Sequence, residues 1–357
     1  MRLATADEQF SKALAQDEPR VALWVGVTGM DWAKALDFKK AAHNVKSEFV
    51  GDWHLDPWGW PEIDFVVSTA PHFLAEHLKS NIVQSAALID VPKENWGSRP
   101  AVVLDVLDRL AYQALVDRLS VDLIGELPTS VYGWRLPPDS VDRGAYSHNS
   151  LQWEVYRDHL KSATMFFDSG LRTDLVSCFA SIPIDLVQGA IDDRVAKGNV
   201  SRRLFSFLEG ISRIPARSGL PQRSLASAVI ANMYLSPLDD VLDHFAQEIP
   251  TLELFESKKT TRRRSWTRWM DDVWLFGGGA ADLRRAQVEL QDIARSIGMN
   301  INSAKTEVVE GEKLSEAALQ VEHSAVDDAL LLQKDATPLE ELVDRLLDDP
   351  RERPELA

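Results

Sequence analysis

Three observations in this chain predict an α+β fold in which an antiparallel sheet is backed by helices. Two short apolar, aromatic-rich stretches, Trp266–Met270 and Val273–Phe276, flank Asp271 and Asp272 as the arms of a β-hairpin. Apolar residues recur at helical spacing around Leu104–Leu115 and again around Leu283–Ile297. Strand-like runs at Ala87–Val91 and Gly170–Phe179 alternate with these helical segments.

Taken in order, residues 1–85 carry little periodic signal, with Trp-, Pro- and Gly-containing turns at Trp53–Trp60. Ala87–Val91 reads as a short strand, followed by the turn-rich Pro92–Pro100. Leu104, Leu107, Leu110, Ala111, Ala114 and Leu115, interleaved with Asp105, Asp108, Arg109 and Arg118, predict an amphipathic helix. Gly170–Phe179 reads as a strand running into a turn, and Pro183 opens a helix. Arg217–Gln222 is a turn before the apolar helix Leu225–Leu235, with Pro237 near its end. After the hairpin, Gly277–Gly279 is a flexible exit; no Lys-Ser/Thr follows, so it is no phosphate loop. Leu283, Ala286, Leu290, Ile293, Ala294 and Ile297 form an amphipathic helix stopped by Gly298. Met299–Ile301 and Thr306–Val309 look like a closing strand pair.

The 357 residues suffice for two to three domains or one elaborate one, and 45% hydrophobic content is ordinary for a globular protein. The first residues lack the apolar core of a signal peptide, and no window reaches the roughly 20 apolar residues of a membrane span. The single cysteine, Cys178, has no partner for an internal disulfide, which suits a cytoplasmic setting. A net charge of −16 argues against coating by nucleic acid through bulk electrostatics. Contact with nucleic acid then needs a local basic strip, and Lys258, Lys259, Arg262, Arg263 and Arg264 supply one beside the hairpin; its other reading is a solvated loop.

Asp271 and Asp272 are hemmed in by Trp269, Met270, Val273 and Trp274. Two carboxylates about 4 Å apart repel by about 4 kcal/mol at an effective dielectric near 20. Water, a basic partner or a divalent cation can offset that repulsion. Asp174 is a further carboxylate at the end of an apolar strand.

In these motifs the chain resembles the reverse transcriptases, in order over roughly Ile89–Gly311. Asp174, with Phe179 five residues on, is similar to the first palm motif. Ser218-Gly-Leu-Pro-Gln222, with the helix Ala228–Asp239, resembles the second. Trp269-Met-Asp-Asp272 resembles the third, and Gly298–Glu307, with Lys305-Thr306, the fourth. Upstream, Val91-Pro-Lys93 through Arg99-Pro100 and Asp108-Arg109 resemble the fingers. Ser130–Arg135 is similar to the family's aromatic-Gly-aromatic-Arg segment.

The resemblance implies a right-hand polymerase palm at 166–311, fingers at 86–165 with part of them in 1–85, and a reduced or missing thumb at 312–357. It also implies RNA-directed DNA synthesis with two Mg²⁺ ions, or Mn²⁺, held by Asp174 and Asp271 with Asp272 beside them. Phe179 matches the steric gate that excludes a 2′ hydroxyl; an ordinary core aromatic is its other reading. Gln222 lines the nucleotide pocket, Lys93 and Arg99 grip the triphosphate, and Lys305 assists the leaving pyrophosphate. Partners implied are an RNA template, a DNA product, deoxynucleoside triphosphates, and a protein or RNA that replaces the missing clamp; no membrane is implied.

Three departures stand against the family pattern. Trp269 replaces the usual Tyr, and Arg223 and Leu225 stand at the usual Gly and Pro positions. Only an acidic segment with one amphipathic helix, Leu339–Leu347, occupies the place of the thumb. They point toward the divergent bacterial types of antiphage defence and abortive infection. Template-independent or protein-primed synthesis, and an idle palm acting as a scaffold, are the alternatives.

Overall fold

The computed structural model describes residues 32–48, 60–79, 86–92, 98–213, 219–249 and 263–318, with the backbone alone for 90–92 and 98–100. The expectations for Trp53–Gly59, Lys93, Arg217, Ser218, Lys258, Lys259, Arg262 and Leu339–Leu347 lie outside the described residues, as does the side chain of Arg99.

Among its described residues, the N-terminal stretch with little periodic signal holds a short 3₁₀ turn, Trp32–Ala35, and the α-helices α1 (Phe38–Glu48), α2 (Pro61–Thr69) and α3 (Pro71–Lys79). Proline opens two of them, where its missing N–H costs nothing. Two strands, β1 (Ala86–Pro92) and β2 (Ser98–Leu104), then pair antiparallel from Ala86↔Leu104 to Pro92↔Ser98. Pro100 and Leu104 therefore belong to a strand, not to the turn and helix the sequence suggested.

Helix α4 (Val106–Ile124) begins where the Asp105 carboxylate accepts the N–H groups of Leu107 at 2.9 Å and Asp108 at 3.0 Å. Its expected amphipathicity is corrected. Asp108, Arg109, Gln113, Asp117 and Ser120 are all buried alongside its apolar residues, because α1 and two later helices enclose it. The Asp117 carboxylate at its centre is satisfied by neighbouring side chains. Asp117 accepts from Asn44, Gln113 and the Tyr146 hydroxyl at 2.7–2.9 Å.

The central sheet has the order β3-β7-β8-β4-β9, from β3 (Val131–Tyr132), β4 (Ser169–Thr173), β7 (Trp266–Trp269), β8 (Asp272–Gly277) and β9 (Glu307–Glu310). All pairs are antiparallel except β3 with β7. A small pair, β5 (Glu248–Ile249) and β6 (Arg263–Arg264), stands apart. Along β8, Val273 and Leu275 join the main core while Trp274 and Phe276 join a second one, so both faces of the sheet are covered. That explains an unbroken apolar run where one-sided burial would give alternation.

Helix α5 (Asn149–Phe166), which the sequence left unread, covers the second face through Tyr156, Leu160 and Ala163. After β4 come α6 (Cys178–Ser181), α7 (Ile184–Asp192) and α8 (Asn199–Ser212). The apolar helix is α9 (Leu225–Tyr234), and Pro237 opens a separate helix, α10 (Ser236–Phe245). The last long helix, α11 (Ala280–Ser296), ends before Gly298 in left-handed geometry, as expected. The expected closing pair is corrected too. β9 pairs with β4, and Ile301 makes only an isolated bridge to Leu175.

Candidate active site

The hairpin forms, but its tip is one residue earlier than the sequence suggests: the turn is Met270-Asp271, and Asp272 already pairs with Trp269 as the first residue of β8. On the other side of β8, Thr173 pairs with Val273. One antiparallel step further sets Asp174 opposite Asp272, so strand register gathers carboxylates that are a hundred residues apart. Asp174 is held from behind, where its carbonyl accepts the Asn302 N–H at 2.7 Å. Its carboxylate accepts from Asn302 Nδ2 at 3.2 Å and Lys305 Nζ at 3.1 Å.

The electrostatics are those of an incompletely neutralised cluster. Burial pushes the Asp271 carboxyl up to about 7, and the charges of Asp272 and Asp174 and a hydrogen bond with Asp174 add to it. Asp272 is raised as well, by desolvation from the surrounding protein and then by Asp174, although its rim meets solvent. Arg172 and Lys305 oppose that rise. The basic partner foreseen as one remedy is thus present in part. Cys178 lies near these carboxylates, and burial pushes its thiol up, which leaves it a packing residue.

Phe179, half buried on α6, meets the turn that precedes α9. Its carbonyl accepts the Leu220 N–H at 2.7 Å. A Cβ on Gly219 would lie 2.1 Å from that same oxygen, so only glycine permits this approach. The turn carries Gln222, which is buried, and Arg223, which is exposed at φ 53°. The Arg223 carbonyl accepts from Arg109 Nη2 at 3.0 Å, and the Arg109 guanidinium lies 5.4 Å from the Trp60 ring centroid.

Structure therefore brings Asp174, Asp271, Asp272 and Lys305 together, and it places Phe179 against the turn that carries Gln222. Of the basic strip, the two described residues are engaged. Arg264 binds the Asp243 carboxylate at 3.0 Å, and Arg263 Nη1 donates to Ser162 at 3.2 Å.

Two groups escaped the sequence reading. The Trp269 ring is boxed by Trp134, Trp153 and Tyr156 at centroid distances of 5.7, 4.9 and 5.5 Å. It also packs on Gly133, whose positive φ of 71° sets the turn after β3. Trp at this position fills a box shaped by three other aromatics. The second group is Arg268, wholly buried and paired with Asp239 of α10. An Arg inside an apolar strand was the available signal, because buried charges need partners.

Residues 91–345 match a family model described as "Reverse transcriptase (RNA-dependent DNA polymerase)". That match continues beyond Gly311, where the quoted motifs end. The chain is also similar to an uncharacterized 91 kDa protein in the cob intron of Schizosaccharomyces pombe (strain 972), with 22% identity over 214 residues. The alignment takes in 58% of this chain and 25% of that protein, so the chain matches about a quarter of that relative.

Proposed function

The chain belongs to the reverse transcriptase family, and from that premise we propose that it adds deoxynucleotides to a primer 3′ hydroxyl on an RNA template. The observation that carries this reading is the register that sets Asp174 opposite Asp272 with Asp271 in hydrogen-bond contact. The donor set fits a hard divalent cation. It offers carboxylate oxygens, and the charges of Asp271 and Asp272 are disfavoured as they stand. Asp174 and Asp271 would hold two Mg²⁺ ions, or Mn²⁺, with Asp272 alongside. When bound, the ions supply an activated nucleophile and charge stabilisation at the transferring phosphoryl group.

The protein's own residues divide the remaining work. Phe179 packs under the sugar, and Gln222 lines the pocket from the turn docked on it. Lys93 and Arg99 grip the triphosphate. Lys305, exposed and already paired with Asp174, exchanges toward the departing pyrophosphate. A Phe179→Ala protein should accept ribonucleotides; unaltered sugar discrimination would sink that role.

One specific feature favours a second reading, template-independent or protein-primed synthesis. Arg223 projects from the turn at a position where the family has Gly, and a long cation there obstructs a template base. Incubation with Mg²⁺ and labelled deoxynucleotides, with and without a primed RNA, separates the two. Incorporation only with RNA supports templated synthesis, and incorporation without it supports the second reading. None in the native protein, when Asp271→Ala is equally inert, leaves a scaffold.

The departures at Trp269 and Arg223 also support placing the chain among defence polymerases of the bacterial cytoplasm, completed by a protein or RNA clamp. The intron setting belongs to the matched relative. Loss of phage protection in cells carrying Asp271→Ala is the expected result; full protection would remove the enzymatic defence role.

A further inference from the structure

Behind the carboxylates lies a charged group that touches no substrate. Arg268 is on β7, fully buried, two residues before the turn residue Met270. Its five N–H donors meet five acceptor contacts. Nε and Nη2 reach the two Asp239 oxygens at 2.6 and 2.7 Å. Nη1 reaches Asn232 Oδ1 at 3.0 Å and the Met270 carbonyl at 3.2 Å, and Nη2 reaches the Asn232 carbonyl at 3.4 Å. Asn232 in turn donates through Nδ2 to the carbonyls of Gly133 at 3.0 Å and Trp134 at 3.4 Å.

The Met270 carbonyl is the decisive contact. It belongs to the peptide whose nitrogen is that of Asp271, so fixing its plane fixes where the Asp271 side chain starts. Met270 also sits at φ 57°, a left-handed conformation that a non-glycine residue holds only when its surroundings impose it. Packing alone does not call for this arrangement, since a buried ion pair is often no more stabilising than apolar residues of equal volume. A fork that joins α9, α10, β7 and the turn has the geometry of a positioning device.

We propose that Arg268, held by Asp239 and Asn232, is a positioning residue that sets the Met270–Asp271 peptide and thereby aims the Asp271 carboxylate at the reacting centre. The proposal rests on the polymerase reading above. Lysine at 268 keeps the charge toward Asp239 but has no planar fork to hold Met270 and Asn232 together.

The test compares the native protein, Arg268→Lys and Met270→Gly in primer extension and in Mn²⁺ binding followed by electron paramagnetic resonance, with thermal unfolding measured beside both. Arg268→Lys should lower kcat by about 10–100-fold and weaken Mn²⁺ binding, the range for groups that orient a ligand from behind, with KM for deoxynucleotide within about twofold. Met270→Gly keeps the carbonyl that Arg268 holds and suits the left-handed φ, but it empties a buried apolar site, so the unfolding temperature should fall while Mn²⁺ affinity stays near native. A folded Arg268→Lys protein with native kcat and native Mn²⁺ affinity overturns the proposal, as does a Met270→Gly protein whose Mn²⁺ affinity falls as far as that of Arg268→Lys, since lost stability alone would then account for both. If the native protein extends no primer, the polymerase reading fails on its own, and Mn²⁺ affinity alone decides the positioning role.

Discussion

Two groups of buried acids in this molecule are treated in opposite ways. Asp239 and Asp117 are enclosed and completed by the protein itself, one by a guanidinium fork and the other by three donors. Asp271 and Asp272 are desolvated too, yet each faces other carboxylates, and among the described residues it is Lys305 and Arg172 that oppose the rise at Asp272. Where charge serves the fold, the chain supplies donors to the acid, although burial still raises both Asp117 and Asp239. At the hairpin it leaves the neutralisation unfinished, and an unfinished neutralisation is what a cation-dependent site requires.

The contrast can be broken most forcefully at Asp239. Asp239→Ala leaves Arg268 charged and unpaired in the core, so unfolding stability should fall by about 3–5 kcal/mol. Denaturant titration measures this, and a loss below about 1 kcal/mol would mean that the pair is not a structural counterpart at all.

Asp271→Asn should move stability the other way. Removing one of the mutually repelling charges is expected to raise stability by about 0.5–2 kcal/mol, as often happens at functional sites. Deoxynucleotide incorporation should drop about 100- to 1000-fold, comparable to removing one preorganised electrostatic contact at a reacting centre. A protein that is less stable and still active would erase the distinction between the two acid groups.

Next in size is the seam between Phe179 and the Gln222 turn. Gly219→Ala puts a methyl 2.1 Å from the Phe179 carbonyl, so backbone must shift. Overpacking of this kind costs about 1–3 kcal/mol. KM for deoxynucleotide should rise with it, because Gln222 and Phe179 move apart; a steady-state KM equal to native would detach this seam from the nucleotide pocket.

What was legible beforehand follows the range of each signal. The hairpin, α9 and α11 are written in local patterns, and the Asp-Asp pair sits between two apolar arms that demand an explanation. The chain order of β4, β8 and β9 is not local, so Met299–Ile301 was paired with the wrong neighbour. Helix α4 misled for a related reason. Polar residues at helical spacing imply a wet face only when no other element supplies donors, and here Asn44 and Tyr146 come from outside the helix. Arg268 was passed over as part of an apolar strand, since its partners lie 29 and 36 residues away. For the same reason Trp269 looked like a lone departure from a family pattern, when its box comes from Trp134, Trp153 and Tyr156.

The dependence on pH is the most diagnostic of the acids that the protein surrounds with its own donors. Burial raises the Asp117 carboxyl from 3.8 to about 7, against the pull of its three hydrogen bonds and of Lys40. The folded state therefore holds this proton more tightly than the unfolded chain does. Stability from this group is fully present below about pH 4 and is lost as pH rises toward about 7. His159 acts in the opposite sense. Burial lowers it from 6.5 to about 4, so its share is present above about 6.5 and is lost as pH falls toward 4. The Tyr132 hydroxyl on Nδ1 at 2.8 Å and the Arg264 carbonyl on Nε2 at 2.7 Å suit the neutral ring. The two slopes offset one another across much the same window, so the native curve alone hides both. Subtraction reveals them. The stability difference between Asp117→Asn and native should widen in favour of the variant from about pH 4 to about pH 7 and then level off. A difference that stays constant with pH would show that the three donors already hold Asp117 as an ordinary carboxylate, more completely neutralised than burial suggests.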